Sequence, residues 1–270
     1  MVFGDILVTE RLWYTSRIMK NSTSLEKALD NRGIKALIFD LDNTVFDTDP
    51  YYIDKKEASF LEIVNHFLVE NEEPVITAQK ISQDVRKKFY ERNCQPLPVK
   101  IEYENGLRDF YREDYHPLMD EILDKHLEGF YENTPEIFPE AVELFHFFYH
   151  YPNMKFFAAN TLAGEDWTKV KIEYMEQKCD IPHIPYYTTD IEHPKDWGKP
   201  VSDAIKKGVA LEEILIIGDS LNSDILPSIE QGVEHLIWID REGRRDEVIT
   251  SFSSNKVMIV DTLSDIWDLE

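Results

Sequence analysis

The chain has 270 residues, 43% of them hydrophobic, which is enough for one large domain or for a core with an inserted domain. Its formal net charge of −23 disfavours nucleic acids and anionic membrane surfaces as partners. The sequence contains neither an uninterrupted apolar run of about 18 residues nor an evident secretory signal, so we expect a cytoplasmic protein without a membrane span.

The first predicted strand, Ala36–Phe39, ends at a pair of carboxylates. Its four consecutive apolar residues are typical of a short buried strand, and Asp40 and Asp42 follow at its carboxyl end. Open α/β sheets bind their ligands at that end of the strands. A carboxylate can attack phosphorus, and a second one can protonate the leaving oxygen. Considered alone, the segment favours an ordinary acidic turn, because Asp-rich turns after strands are common.

The segment that follows has a different pattern. Residues 51–132 carry apolar side chains at helical spacing and show no convincing alternating strand. We therefore predict a helical cap over 51–132, inserted into an α/β core that comprises 34–50 and 133–270. Residues 1–33 form an N-terminal extension, for which packing against the core is the expected role.

In the rest of the chain, strands alternate with helices. The strands are predicted at 154–159, 184–188, 215–217, 235–239 and 257–260, and the helices between them at 139–149, 164–178 and 222–231. This order predicts a doubly wound parallel sheet, a Rossmann-like core covered on both faces. Right-handed crossovers would bring Asp40, Asn160 and Asp219 to one edge of that sheet.

Three later segments carry polar groups suited to the same site. Asn160 and Thr161 follow a strand and can bind phosphoryl oxygens, and Lys199 lies at the start of a predicted helix. Asp219 ends another strand, and Asp224 follows five residues later, so both can bind a divalent cation. Taken singly, these residues are compatible with turns, an N-cap and a solvated lysine. Their order along the chain favours one shared site.

This ordered set resembles the haloacid dehalogenase superfamily of phosphatases and phosphotransferases. The resemblance covers roughly residues 35–240 and has four parts: Asp-x-Asp-x-Thr, a strand end with Asn, a Lys before Pro, and Gly-Asp with a later Asp. The matching residues are Asp40, Asp42, Thr44, Asn160, Lys199, Gly218, Asp219 and Asp224. One position departs from the pattern, because Ala159 stands where a hydroxyl residue is expected. Thr161 is the candidate to supply that hydroxyl.

The resemblance implies a role for each residue. Asp40 is the implied nucleophile, and Asp42 the implied general acid and base. Lys199 and Asn160, with Thr161, would orient phosphoryl oxygens, while Thr44 braces the loop. The implied Mg²⁺ ligands are Asp40, the Asp42 carbonyl, Asp219 and Asp224. In this superfamily, phosphatases and mutases carry an acid at the position of Asp42 and dehalogenases lack it, which implies a phosphate ester with a poor leaving group.

These arguments predict a Mg²⁺-dependent phosphatase that hydrolyses small phosphate monoesters through an aspartyl phosphate. A phosphomutase with the same active site and a non-catalytic interaction protein with the same fold remain as alternatives. The expected partner is a small phosphorylated metabolite, and the chain is expected to be a monomer or a homodimer. Cys94 and Cys179 lack metal-type spacing and are expected to be free thiols.

Overall fold

The computed structural model describes residues 23–67, 73–91, 97–189, 193–241, 243 and 257–269. Residues 1–22, which make up most of the predicted extension, lie outside the described residues, as does Cys94. The remainder of the extension begins with helix α1 over 23–32. None of the described helices combines the length and apolar character that a bilayer crossing requires.

The core is a parallel sheet in the order β3-β2-β1-β4-β5-β6. Its strands are β1 (Ala36–Phe39), β2 (Phe156–Thr161), β3 (Tyr186–Thr188), β4 (Ile214–Gly218), β5 (His235–Ile239) and β6 (Val257–Val260). The predicted α/β class and parallel sheet are confirmed. Because β1 lies between β2 and β4, the carboxyl ends of these three strands share one edge.

Helices cover both faces of this sheet, which explains why its strands are continuous apolar runs. Leu37 and Phe39 of β1 face one apolar cluster, whereas Ala36 and Ile38 face another. The first cluster is completed by α1, α6 (Pro139–His150) and α7 (Glu165–Cys179), and the second by α8 (Gly198–Lys206) and α9 (Leu226–Glu230). The helix predicted over 222–231 is divided into a π-helical turn, Leu221–Ile225, and α9.

All elements described between residues 51 and 132 are helical. The main helices of this region are α2 (Thr48–Phe67), α3 (Pro74–Glu91), α4 (Val99–Tyr111) and α5 (Pro117–Leu127). Their buried apolar side chains form a cluster separate from the two that flank the sheet, and this cluster also includes Ala163 and Trp167 next to and within α7. We refer to α2–α5 as the helical layer; the division of the chain into extension, core and cap stays a prediction.

Candidate active site

Three carboxylates converge at the edge of the sheet where β1 and β4 end. Asp40 follows β1, Asp219 follows β4, and Asp224 lies in the π-helical turn after it. Each offers an oxygen within 4.8 Å of the others. The main-chain N–H of Asp40 donates to the carbonyl of Ile217 at 2.9 Å, which extends the β1–β4 pairing up to the site. We call these residues the acid cluster.

Asp224 approaches the strand closely because residue 218 is glycine. A Cβ atom at Gly218 would lie 2.6 Å from the Cβ of Asp224, far closer than van der Waals contact allows. The carboxylate of Asp224 also accepts from the main-chain N–H of Ser220 at 3.0 Å. Close backbone approach and this local hydrogen bond fix Asp224 beside Asp40.

A buried lysine, Lys195, binds two members of the acid cluster. Its ammonium contacts Oδ1 of Asp40 and lies 2.7 Å from Oδ1 of Asp224, and its side chain is 1% exposed. The neighbouring Trp197 anchors the loop, because its indole N–H donates to the carbonyl of Ser223 at 2.7 Å. The acid cluster is therefore paired with a buried cation, Lys195, that the sequence analysis did not identify.

The structure does not bring Lys199 to the acid cluster, which corrects the sequence-based placement. Lys199 lies in the first turn of α8, whose buried residues are Pro200, Val201 and Ala204. Its side chain is exposed and lies over the ring of Tyr187 at 5.6 Å. The spacing of the apolar residues in α8 would have indicated that Lys199 is on the solvent face. No comparable periodicity marks Lys195, which precedes the helix.

Asp42 is held by donors from three elements. Its carboxylate accepts from the Thr48 hydroxyl at 2.9 Å, from the Thr161 hydroxyl at 3.2 Å, and from the Lys171 ammonium at 2.8 Å to both oxygens. Sequence reasoning missed Lys171, although it lies within the otherwise mostly apolar buried stripe of α7. A lone lysine in such a stripe is a usable signal, because an unpaired buried ammonium is costly.

The remaining predicted site residues, Thr44, Asn160 and Thr161, differ in their hydrogen-bond partners. Thr44 is fully buried, and its hydroxyl is 3.5 Å from Asp219 Oδ1. Asn160 is also fully buried and donates to the carbonyl of Asp196 at 3.1 Å, while its Oδ1 has no hydrogen-bond partner among the described residues. Ala159 belongs to the apolar core, so the hydroxyl at the end of β2 that reaches the site is that of Thr161.

The electrostatics of the site are set by burial and by crowded charge. Burial raises the pKa of Asp40 to about 7, although Lys195 opposes the shift. Burial, Asp40 and Asp224 together raise the pKa of Asp219 well above its usual value. Burial also acts to raise the pKa of Asp42, but the charge and hydrogen bonds of Lys171, together with the hydrogen bond of Thr48 and the charge of Lys195, outweigh it, and the net shift is downward.

These shifts bear on metal binding. Desolvated carboxylates this close repel each other, and a divalent cation would favour their ionised form. Hard oxygen ligands are also the donor type that Mg²⁺ prefers. The donor set of the acid cluster therefore fits such an ion.

The comparisons with known proteins identify the family of the chain. A family model for haloacid dehalogenase-like hydrolases matches residues 34–228, which is more than half of the chain. The chain belongs to this family. The resemblance noted in the sequence is thus confirmed. A search among curated proteins gives no match.

Solved structures of the family share the fold. A haloacid dehalogenase-like hydrolase from Xanthomonas campestris has a TM-score of 0.61 and 14% identity, covering 87% of this chain and 93% of its own. The HAD-hydrolase YfnB from Bacillus subtilis, bound to magnesium, has a TM-score of 0.55 and 16% identity, and the match covers 87% of this chain and 97% of YfnB. A dehalogenase has a TM-score of 0.51 and 12% identity, and the match covers 88% of this chain and 97% of the dehalogenase. At these identities the likeness shows the fold alone.

Proposed function

We propose that this haloacid dehalogenase-like hydrolase is a Mg²⁺-dependent phosphatase that acts on small phosphate monoesters through an aspartyl-phosphate intermediate. The observation that carries the proposal is the pair formed by Asp40 and Asp42. Asp40 belongs to the acid cluster, and the carboxylate of Asp42 is a separate, partly exposed group at the same strand end, 27% of its side chain accessible. A dehalogenation needs no such second acid, because halide leaves without a proton.

In the first step, an oxygen of Asp40 attacks phosphorus while the bond to the ester oxygen breaks. The protonated form of Asp42 gives its proton to that oxygen, which leaves as the alcohol. Lys195, in contact with Asp40, offsets the negative charge that accumulates around the transferred group.

In the second step, Asp42 takes a proton from water as the water oxygen attacks the phosphorus of the aspartyl phosphate. The bond between phosphorus and Asp40 then breaks, which releases inorganic phosphate and restores the carboxylate of Asp40 and the protonated form of Asp42. Thr161 and Asn160 lie at the end of β2, where their side chains can orient the phosphoryl oxygens. The buried Oδ1 of Asn160 has no hydrogen-bond partner among the described residues, so it is available to accept a hydrogen bond.

Mg²⁺ would be held by Asp40, Asp219 and Asp224 with the main-chain carbonyl of Asp42. When bound, it would supply positive charge that offsets the carboxylates and the phosphate dianion. YfnB, a neighbour in fold, is described as bound to magnesium, which supports this choice of ion.

The experiment that tests the proposal measures inorganic phosphate released from a panel of phosphorylated metabolites, with Mg²⁺ or with EDTA. We expect release with Mg²⁺ and none with EDTA. Halide release from 2-haloacids is measured in parallel. Halide release without phosphate release would contradict the proposal, and transfer of phosphate to a second hydroxyl would indicate a mutase instead.

The nucleophile is tested with Asp40→Asn, since an amide does not attack phosphorus. We expect a folded protein without turnover. Asp47→Asn is the matched control, because Asp47 lies in the same loop but is not among the three clustered carboxylates. Wild-type turnover in folded Asp40→Asn would rule out the covalent intermediate.

A further inference from the structure

Burial and its contacts distinguish Lys171 from the lysines at the surface of this chain. Its side chain is 0% exposed, and its ammonium lies 2.8 Å from both oxygens of Asp42. Within the described residues, these are the only hydrogen bonds of that ammonium. A buried ammonium is strongly unfavourable unless it is paired, so the pair with Asp42 is what keeps Lys171 inside.

We propose that Lys171 is a positioning residue, which sets the direction of the Asp42 carboxylate toward the reacting oxygens. This inference rests on the proposed phosphatase activity. Lys171 contacts both oxygens of one carboxylate, so the plane of that carboxylate is fixed by a side chain from α7. Thr48 and Thr161 each hold one oxygen from the other sides. Small errors in the placement of an acid–base group are costly in rate.

The surroundings of Lys171 connect Asp42 with the helical layer. The ammonium lies 3.9 Å from the centre of the Trp167 ring, a favourable cation–π geometry. Trp167 donates its indole N–H to the carbonyl of Asn133 at 2.9 Å and packs against Tyr52 and Phe130. Lys171 is thus supported from two sides, by the acid whose position it sets and by an aromatic side chain in contact with the helical layer.

The competing explanation is that Lys171 only stabilises the fold. The two explanations differ in the reaction step that they affect. A positioning role acts through Asp42, so its loss should be larger for an alkyl phosphate, whose leaving oxygen needs a proton, than for p-nitrophenyl phosphate, whose leaving group departs without one. A structural role would lower both rates equally.

The test compares Lys171→Met with Lys169→Met, a control on the same helix whose side chain is 64% exposed. For an alkyl phosphate we expect Lys171→Met to lower kcat by about 10- to 100-fold, the range seen when residues that orient functional groups are removed, with KM nearly unchanged. The loss for p-nitrophenyl phosphate should be smaller. Lys169→Met should match the wild type, and the Mg²⁺-induced thermal shift should be the same in all three proteins.

A double-mutant cycle with Asp42→Asn completes the experiment. If Lys171 acts through Asp42, Lys171→Met should add less than about threefold to the loss already caused by Asp42→Asn. Equal losses for the two esters, or fully additive losses in the cycle, would overturn the inference. If Lys171→Met does not fold, Lys171→Gln, which keeps most of the length, takes its place in the same comparison. A wild type that hydrolyses no phosphate ester would refute the proposed function, whereas an active wild type with an unaffected Lys171→Met would refute only this inference.

Discussion

Replacing Lys195 with methionine tests which lysine serves the site, because the sequence motif selects Lys199 whereas the structure places Lys195 at the acid cluster. The ammonium of Lys195 contacts Asp40 and lies 2.7 Å from Asp224, and its side chain is 1% exposed. Lys195→Met preserves most of the buried volume but leaves two buried carboxylates without their cation. Lys199→Met is the matched control, because Lys199 precedes a proline and so matches the family motif, but its side chain is exposed.

The magnitude follows from burial. Removing one partner of a buried ion pair typically costs about 3–5 kcal/mol. At about 2–4 °C per kcal/mol for a chain of this size class, the melting temperature of metal-free protein should fall by roughly 10 °C. Mg²⁺ should recover about 2.7 kcal/mol when present at about 100 times its Kd, because it binds only the folded acid cluster. Lys199→Met should stay within about 0.5 kcal/mol of the wild type.

Activity should separate the two lysines in the same way. Loss of a preorganised charge next to the reacting group costs about 10²–10³ in kcat, so Lys195→Met should lose this factor and Lys199→Met should not. The assays are urea or thermal unfolding with and without Mg²⁺, and phosphate release from the best substrate of the panel. A fully active Lys195→Met together with an inactive Lys199→Met would refute the placement of Lys195 and restore the assignment made from the motif.

Four further predictions concern the carboxylates of the site and Gly218. Asp42→Asn should lower kcat for alkyl phosphates by roughly 10²–10⁴ and should have a smaller effect on p-nitrophenyl phosphate; equal losses would remove Asp42 from the acid role. Gly218→Ala should abolish Mg²⁺-induced thermal stabilisation, because a Cβ there would lie 2.6 Å from Asp224 Cβ, and an unchanged Mg²⁺ titration would contradict this. Since burial, opposed by Lys195, raises the pKa of Asp40 to about 7, Mg²⁺ affinity measured by calorimetry should increase from about pH 5.5 to about pH 8. In metal-free protein, the raised pKa of Asp40 stabilises the folded state below about pH 4, and this stabilisation is lost as the pH rises through about 7. Free energies of unfolding measured across this pH range would show the loss.

Local sequence was sufficient for the features that depend on chain continuity. Asp40 directly follows the apolar residues of β1, and Asp219 directly follows those of β4, so the end of each strand fixes where its acid lies. Alternating strands and helices admit few sheet orders, and right-handed crossovers bring the carboxyl ends of β1, β2 and β4 to the same edge. The convergence of the acids at one edge could therefore be predicted from the order of the elements alone.

Tertiary structure decided which cations reach those acids. Lys195 and Asp40 are 155 residues apart, and Lys171 and Asp42 are 129 apart, so neither contact has a local signature. Lys199 fits the family motif, but α8 has already begun at Gly198, and the burial of the apolar stripe of α8 turns Lys199 toward solvent. A motif specifies residue types in order along the chain; the side on which each side chain lies depends on where helices begin and which faces they bury.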